Sequence, residues 1–271
     1  MSPFDRRGTI VPRLLILKTG TTFPRTRRRF GDFDRWFLDA LRGRPLTFDV
    51  RDVTTVPPPS VAGYHGVIVT GSPAAVYDRA AWMGPFSKLL HELAERQSVP
   101  TLAVCFAAQA LAQVLGGRVE PCPGGWEIGT VRVRLTAGGR RDPLLGGEAA
   151  EANVQATHQD WIAELPSGAL LLAENDRSPI QAFRVGERVW GTQFHPEGTA
   201  AVLEDLIRAR RAILLAQAGG ESRGEACYQE ILRGLAPTPW GGRILSRFVQ
   251  ECLRAGERSG EHPMNAGSRI P

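Results

Sequence analysis

Lysine is almost absent from this chain. Lys18 and Lys88 are the only two, so nearly all of the 33 basic side chains are arginine, and against 28 acidic residues they leave a net charge of +5. The arginines are scattered, with only Arg25-Thr-Arg-Arg-Arg29 tightly clustered. Mixed charge of this kind reads as a solvated surface, and no nucleic-acid partner is expected. Cysteine is sparse as well. Cys105, Cys122, Cys227 and Cys252 match neither a disulfide framework nor a paired C-x-x-C metal site, so reduced thiols and no bound metal are expected. No apolar run approaches the roughly 20 residues of a membrane span. The stretch Met1-Ser-Pro-Phe-Asp-Arg-Arg7 lacks an apolar signal core, so a cytoplasmic protein with no membrane contact is expected. There is no internal repeat.

What the chain does have is a repeated alternation of short apolar runs and helical patterns. Residues 13–18, 47–52, 64–70 and 100–104 read as strands, three of them continuous apolar runs of the kind buried on both faces. Residues 32–41, with Phe33, Trp36, Phe37 and Leu41 on one stripe, and residues 82–97 read as amphipathic helices. That alternation predicts an α/β fold with a doubly wound, mostly parallel sheet flanked by helices. Residues 130–135 alternate Val and Arg as an edge strand would, and 136–152 suggest an irregular connection. Residues 169–174, 180–185 and 189–194 read as three more strands, followed by a helix over about 198–216. A small antiparallel addition and extra C-terminal helices complete the expected architecture. The expected organisation is an N-terminal segment (1–12), a core domain (13–217), a helical extension packed on the core (218–256) and a disordered tail (257–271).

Cys105 falls where the apolar run Val99-Pro-Thr-Leu-Ala-Val104 passes into the helical stretch from Phe106. On such a turn a side chain stands above the carboxyl edge of a parallel sheet, beside the unpaired N–H groups of the next helix. A thiol there is a candidate nucleophile; the residues alone equally allow a small buried hydrophobe. Thr70-Gly-Ser-Pro73 ends another strand at the same edge, making Gly71 and Ser72 candidate N–H donors. Among the five histidines, His195 ends a strand and is followed two residues later by Glu197. Residues i and i+2 of an extended chain share a face, so Glu197 can hold one imidazole nitrogen while the other meets the thiol.

Together, the elbow Pro100-Thr-Leu-Ala-Val-Cys-Phe-Ala-Ala-Gln109, the later Gln193-Phe-His-Pro-Glu197, Thr70-Gly-Ser-Pro73 and Gly125-Trp-Glu-Ile-Gly129 resemble the class I glutamine amidotransferases. Among these, the glutaminase domain of GMP synthase and its stand-alone relatives are the most similar. The resemblance spans about residues 14–208 and implies a flavodoxin-like domain that needs no cofactor. It implies a Cys105–His195–Glu197 triad that forms a γ-glutamyl thioester, with the N–H groups of Gly71 and Phe106 as oxyanion hole. Ser72, Gln109, His158 and Asp160 are then expected on the substrate side. Glutamine or another γ-glutamyl amide is the implied substrate, and a separate synthase subunit the implied ammonia acceptor. A self-contained γ-glutamyl hydrolase and a non-catalytic regulatory relative stay open beside it. One departure stands out: the family elbow reads Gly-x-Cys-x-Gly-His-Gln, whereas here Ala103, Ala107 and Ala108 replace both glycines and the histidine.

Overall fold

The computed structural model describes residues 11–147 and 150–260. Its centre is a sheet of β1 (Arg13–Lys18), β2 (Thr47–Asp52), β3 (Gly66–Val69), β4 (Thr101–Val104), β6 (Glu127–Leu135), β7 (Glu151–His158), β9 (Leu170–Glu174), β10 (Ala182–Val185) and β11 (Val189–Thr192). Their spatial order is β2-β1-β3-β4-β11-β10-β9-β6-β7. The strands from β2 to β11 pair in parallel and the rest antiparallel. A separate antiparallel pair joins β5 (Arg118–Pro121) to β8 (Asp160–Glu164).

Successive residues of β1 show why the parallel strands are continuously apolar. Leu14 and Ile16 enter one core with Ile68, Leu102 and Val104, while Leu15 and Leu17 enter another with Val67, Val69 and Ala103. Each strand is therefore coated on both faces. The second core is closed by α3 (Met83–Arg96), through Phe86, Leu90 and Leu93, and by α4 (Phe106–Val114). The first is closed by α2 (Phe33–Ala40), through Phe37, and by α9 (Pro239–Gly260). Trp240, Ile244, Leu245, Phe248 and Cys252 of α9 are all 2% exposed or less. No helix among the described residues is long and apolar enough to cross a membrane.

Several local expectations need correction. The basic run 25–29, whose polar surroundings read as a loop after the first strand, is helical, within α1 (Pro24–Phe30), because Pro24 opens the helix and Asp205 accepts from Thr26 and pairs with Arg25 and Arg29. β6 begins earlier than expected and is not an edge strand, since it lies between β9 and β7. The 136–152 connection contains α5 (Ala137–Arg141), capped by the Thr136 hydroxyl, which accepts from the Gly139 N–H at 3.0 Å. The polar and aromatic cluster 156–161, which by composition reads as lying between less structured segments, belongs to β7 and β8, where cross-strand partners override that composition. The helix expected over 198–216 is broken at Arg210 into α6 (Ala200–Ala209) and α7 (Arg211–Gln217). α8 (Glu221–Arg233) and α9 follow, and α9 continues to Gly260, past the expected start of a disordered tail. Residues 1–10 of the N-terminal segment and 261–271 of the tail lie outside the described residues.

Candidate active site

Three adjacent strands, β3, β4 and β11, bring the chemistry together. Val69 pairs with Ala103, and Val104 with Thr192, so Thr70-Gly71, Cys105 and Gln193-Phe-His195 all leave the sheet at one carboxyl edge. The carboxyl edge of a parallel sheet is where α/β proteins gather ligands.

Cys105 adopts φ 54° and ψ −109°, a left-handed conformation that non-glycine residues rarely hold. Its backbone N–H is fixed to the Thr192 carbonyl at 2.7 Å, and its carbonyl accepts from Gln109 N–H at 3.0 Å. The strain is held by packing: Ala103, Ala107 and Ala108 are completely buried. The alanines that replace the family's glycines and histidine are thus absorbed without opening the elbow. Phe106 is the first residue of α4, so its N–H has no partner within the helix. Gln193 donates from Nε2 to the Cys105 sulfur at 3.7 Å.

His195 is pinned at both ends. Its N–H donates to the Gln155 carbonyl at 2.8 Å, and its Nδ1 meets Glu197 Oε1 at 2.7 Å. Nε2 is buried and makes no hydrogen bond of good geometry, while the Cys105 thiol is near enough to act electrostatically on the ring. Burial works to lower the His195 pKa, but attraction to Glu197 and then to Cys105 outweighs it, lifting the value from 6.5 to about 10. A protonated imidazole is the form this environment favours.

Gly71 leaves room for this pair. A methyl on its α-carbon would stand 3.1 Å from His195 Cε1 and 3.5 Å from Cys105 Cβ. Two fully buried threonines fix the peptides on either side. The Thr19 hydroxyl bridges to the Thr70 and Gly71 carbonyls at 3.0 and 2.8 Å, and the Thr70 hydroxyl donates to the Gly71 carbonyl at 2.9 Å. Because a trans peptide opposes its C=O and N–H, anchoring the Thr70 carbonyl also sets the direction of the Gly71 N–H.

A cavity of about 300 Å³ opens on Cys105, His195 and Gly71, walled by Phe23, Phe33 and Trp36 and bounded by Arg210. A larger, more open cleft of about 750 Å³ lies between residues 57–64 and α3, but no cysteine or histidine lines it; the smaller cavity is where chemistry can occur. Arg210 stacks its guanidinium over Phe23 and Trp126, with ring centroids at 5.0 and 4.8 Å. Burial pulls its pKa down to about 10, partly offset by attraction to Cys105, so it stays charged at neutral pH.

The residues expected on the substrate side divide. Ser72 lines the cavity, its hydroxyl donating to the Thr19 carbonyl at 2.6 Å. Gln109, His158 and Asp160 are not among the cavity's lining residues. Gln109 donates to the Asp160 carbonyl at 2.8 Å and to Gln193 Oε1 at 3.1 Å. His158 places Nε2 2.9 Å from Glu127, a carboxylate also held by Asn175 and Gln181. The Asp160 carboxylate accepts from the Tyr77 hydroxyl at 3.2 Å, and burial raises its pKa. Sequence reasoning missed Gln193, although it stands inside the His195 motif. It also missed Thr19 and Arg210, for which no local pattern gives a signal. Trp36 carried a signal for burial only.

A family model described as glutamine amidotransferase class-I matches residues 30–210. The chain is 40% identical over 141 residues to a glutamine-hydrolyzing GMP synthase of Porphyromonas gingivalis, a match covering 52% of this chain and 26% of that protein. It is 36% identical over 156 residues to the corresponding protein of Leifsonia xyli subsp. xyli, covering 55% and 30%. The chain therefore spans well under half the length of these curated relatives. In structure it resembles a glutamine amidotransferase from Methylobacillus flagellatus (TM-score 0.71, 22% identity, 89% of this chain and 95% of the other). It also resembles one from Thermotoga maritima (TM-score 0.68, 20% identity, 89% and 98%). These two likenesses are of fold.

Proposed function

The chain belongs to the class I glutamine amidotransferase family, and on that premise we propose that it hydrolyses the side-chain amide of glutamine through Cys105, His195 and Glu197. The observation that carries this reading is the strained Cys105 elbow set beside a buried imidazole whose far nitrogen meets Glu197 at 2.7 Å. The Cys105 thiolate attacks the amide carbon, and the C=O electron pair moves onto oxygen. The N–H groups of Gly71 and Phe106 receive that oxyanion, a contribution of about 2.7–4 kcal/mol per donor in comparable sites. The imidazolium of His195 gives its proton to the leaving nitrogen, the C–N bond breaks, and ammonia departs from a γ-glutamyl thioester. Water, deprotonated by the now neutral His195, then hydrolyses the thioester to glutamate and restores the thiolate–imidazolium pair. Glu197 keeps the ring oriented and stabilises its charged form.

A separate synthase subunit is proposed to take the ammonia. The relatives named as GMP synthases support this, since the matched region makes up about a quarter of one of them. The aromatic wall of the cavity favours a second reading, hydrolysis of a larger γ-glutamyl amide with no acceptor. Incubation with glutamine and with γ-glutamyl dipeptides, followed by ammonia and glutamate release and mass analysis of Cys105, separates the two. Turnover of dipeptides but not of glutamine would reject the amidotransferase reading. Cys105→Ala should abolish release from every substrate, and retained turnover would reject the thioester.

A further inference from the structure

The cavity above Cys105 is lined by polar atoms with nothing to bond. Thr22 Oγ1, Trp36 Nε1, Thr157 Oγ1 and Arg210 Nη1 are all buried and without a hydrogen-bond partner, and all four residues line that one cavity. Thr22 and Trp36 are only 7% and 5% exposed. Each of these atoms can donate, and two of them can only donate. None of the cavity's lining residues is Asp or Glu. A buried guanidinium ordinarily sits against a carboxylate, because an unpaired charge in such a place is strongly destabilising. Arg210 has no ion pair among the described residues; its guanidinium is instead stacked between Phe23 and Trp126. Its position follows from the break between α6 and α7, where Arg210 closes one helix and opens the next at φ −97°, ψ 7°.

We propose that Arg210, with Thr22, Trp36 and Thr157, forms a carboxylate-binding subsite that holds the substrate by its α-carboxylate and makes no demand on its α-amino group. This rests on the amide-hydrolysis reading of Cys105. The chemistry is lopsided: four donors, one of them a guanidinium, suit a carboxylate, whereas an ammonium finds no Asp or Glu among the lining residues to pair with. A cavity of about 300 Å³ leaves space beside Phe33 and Trp36 for a group on the α-nitrogen. The substrate class is therefore γ-amides with a free α-carboxylate, including those whose α-amino group is acylated or missing.

Binding is read separately from turnover by the protection of Cys105 against iodoacetamide. Three amides serve as probes: glutamine, glutaramate, which lacks the amino group, and γ-aminobutyramide, which lacks the carboxylate. In the wild type, glutamine and glutaramate should protect at concentrations within about threefold of each other, and γ-aminobutyramide should not protect, as expected when one charge-assisted contact dominates. Arg210→Met should raise the protecting concentration of both acids by about ten- to a hundredfold. The unliganded alkylation rate of each variant shows whether Cys105 is still correctly seated. Arg210→Lys, which keeps the charge but loses the fork, should recover part of the protection. Trp36→Phe, which keeps a ring and removes one donor, should weaken protection by the acids alone. Equal protection by γ-aminobutyramide and glutamine, or unchanged protection in both Arg210→Met and Trp36→Phe, would overturn the subsite while leaving glutamine turnover in place. If no amide protects or turns over in the wild type, the hydrolysis reading fails and takes the subsite with it.

Discussion

Glu197→Gln is the substitution whose consequence follows most directly from the geometry. It keeps the shape of a side chain whose Oε1 lies 2.7 Å from His195 Nδ1 and removes its charge. The rise of the His195 pKa from 6.5 to about 10 corresponds to about 5 kcal/mol favouring the imidazolium. Burial opposes that rise, and Glu197 leads the groups that produce it. With the carboxylate gone, burial is opposed by Cys105 alone, so the ring's pKa falls toward or below its ordinary value. A rate that needs the imidazolium to protonate departing ammonia is present below the ring's pKa and lost as pH rises through it. The wild type should keep its rate to about pH 9 and decline near 10, while the variant's alkaline decline moves to near neutrality. At about pH 8 kcat should fall by about one and a half powers of ten if the ring returns to 6.5, and about tenfold more for each further unit by which burial lowers it. The protecting concentration of glutamine should change little, since the cavity is untouched. The assays are kcat against pH and the pH dependence of Cys105 alkylation by iodoacetamide. The fold itself should respond too: a histidine raised on folding stabilises in full below about pH 6.5 and loses that contribution as pH rises through about 10. An alkylation profile that is the same in Glu197→Gln and wild type would refute the electrostatic coupling on which this rests.

Gly71→Ala places a methyl 3.1 Å from His195 Cε1, and should lower kcat about ten- to a hundredfold by shifting the ring; a normal kcat with an intact melting curve would contradict the placement. Thr19→Val leaves the Thr70 carbonyl without its hydroxyl donor, and should cost about 1–3 kcal/mol in denaturant titration. It should also reduce kcat with KM little changed, whereas a change in KM alone would argue against a role in setting the Gly71 N–H. Gly241→Ala would put a carbon 2.4 Å from the Pro196 carbonyl oxygen, while the neighbouring Gly242 has nothing within 4 Å. The first should destabilise by about 1–3 kcal/mol and depress kcat, and Gly242→Ala should stabilise by up to about 1 kcal/mol; equal effects of the two in thermal melts would mean that α9 does not brace the His195 segment.

α9 shows why extent of burial was harder to read than its existence. The sequence predicts C-terminal helices packed on the core, but not that Trp240 stacks on Phe194 at 5.6 Å, one residue from His195. The misread segments share a cause. Residues 25–29 and 156–161 are locally polar, and their order comes from Asp205 and from cross-strand pairing with β5 and β6, partners far away in the chain. The polarity is legible in the sequence and its partners are not. Gln109 and His158 carried family motifs, yet their hydrogen bonds run to the Asp160 carbonyl, Gln193 and Glu127 rather than into the cavity.

The sequence by itself determined the buried strands, the elbow at Cys105 and the His195–Glu197 spacing. Each is fixed by covalent geometry over a few residues: apolar continuity, a strand-to-helix change of period, and the shared face of positions i and i+2. Only the tertiary structure decided what surrounds them. Strand order set Gly71, Cys105 and His195 at one edge, and a helix break carried Arg210 to the same cavity. The neighbours gathered there hold His195 protonated against its burial and leave Arg210 without an ion pair among the described residues, because the free energy of a charge depends on the water excluded and the groups brought near, neither of which is a local property of the chain.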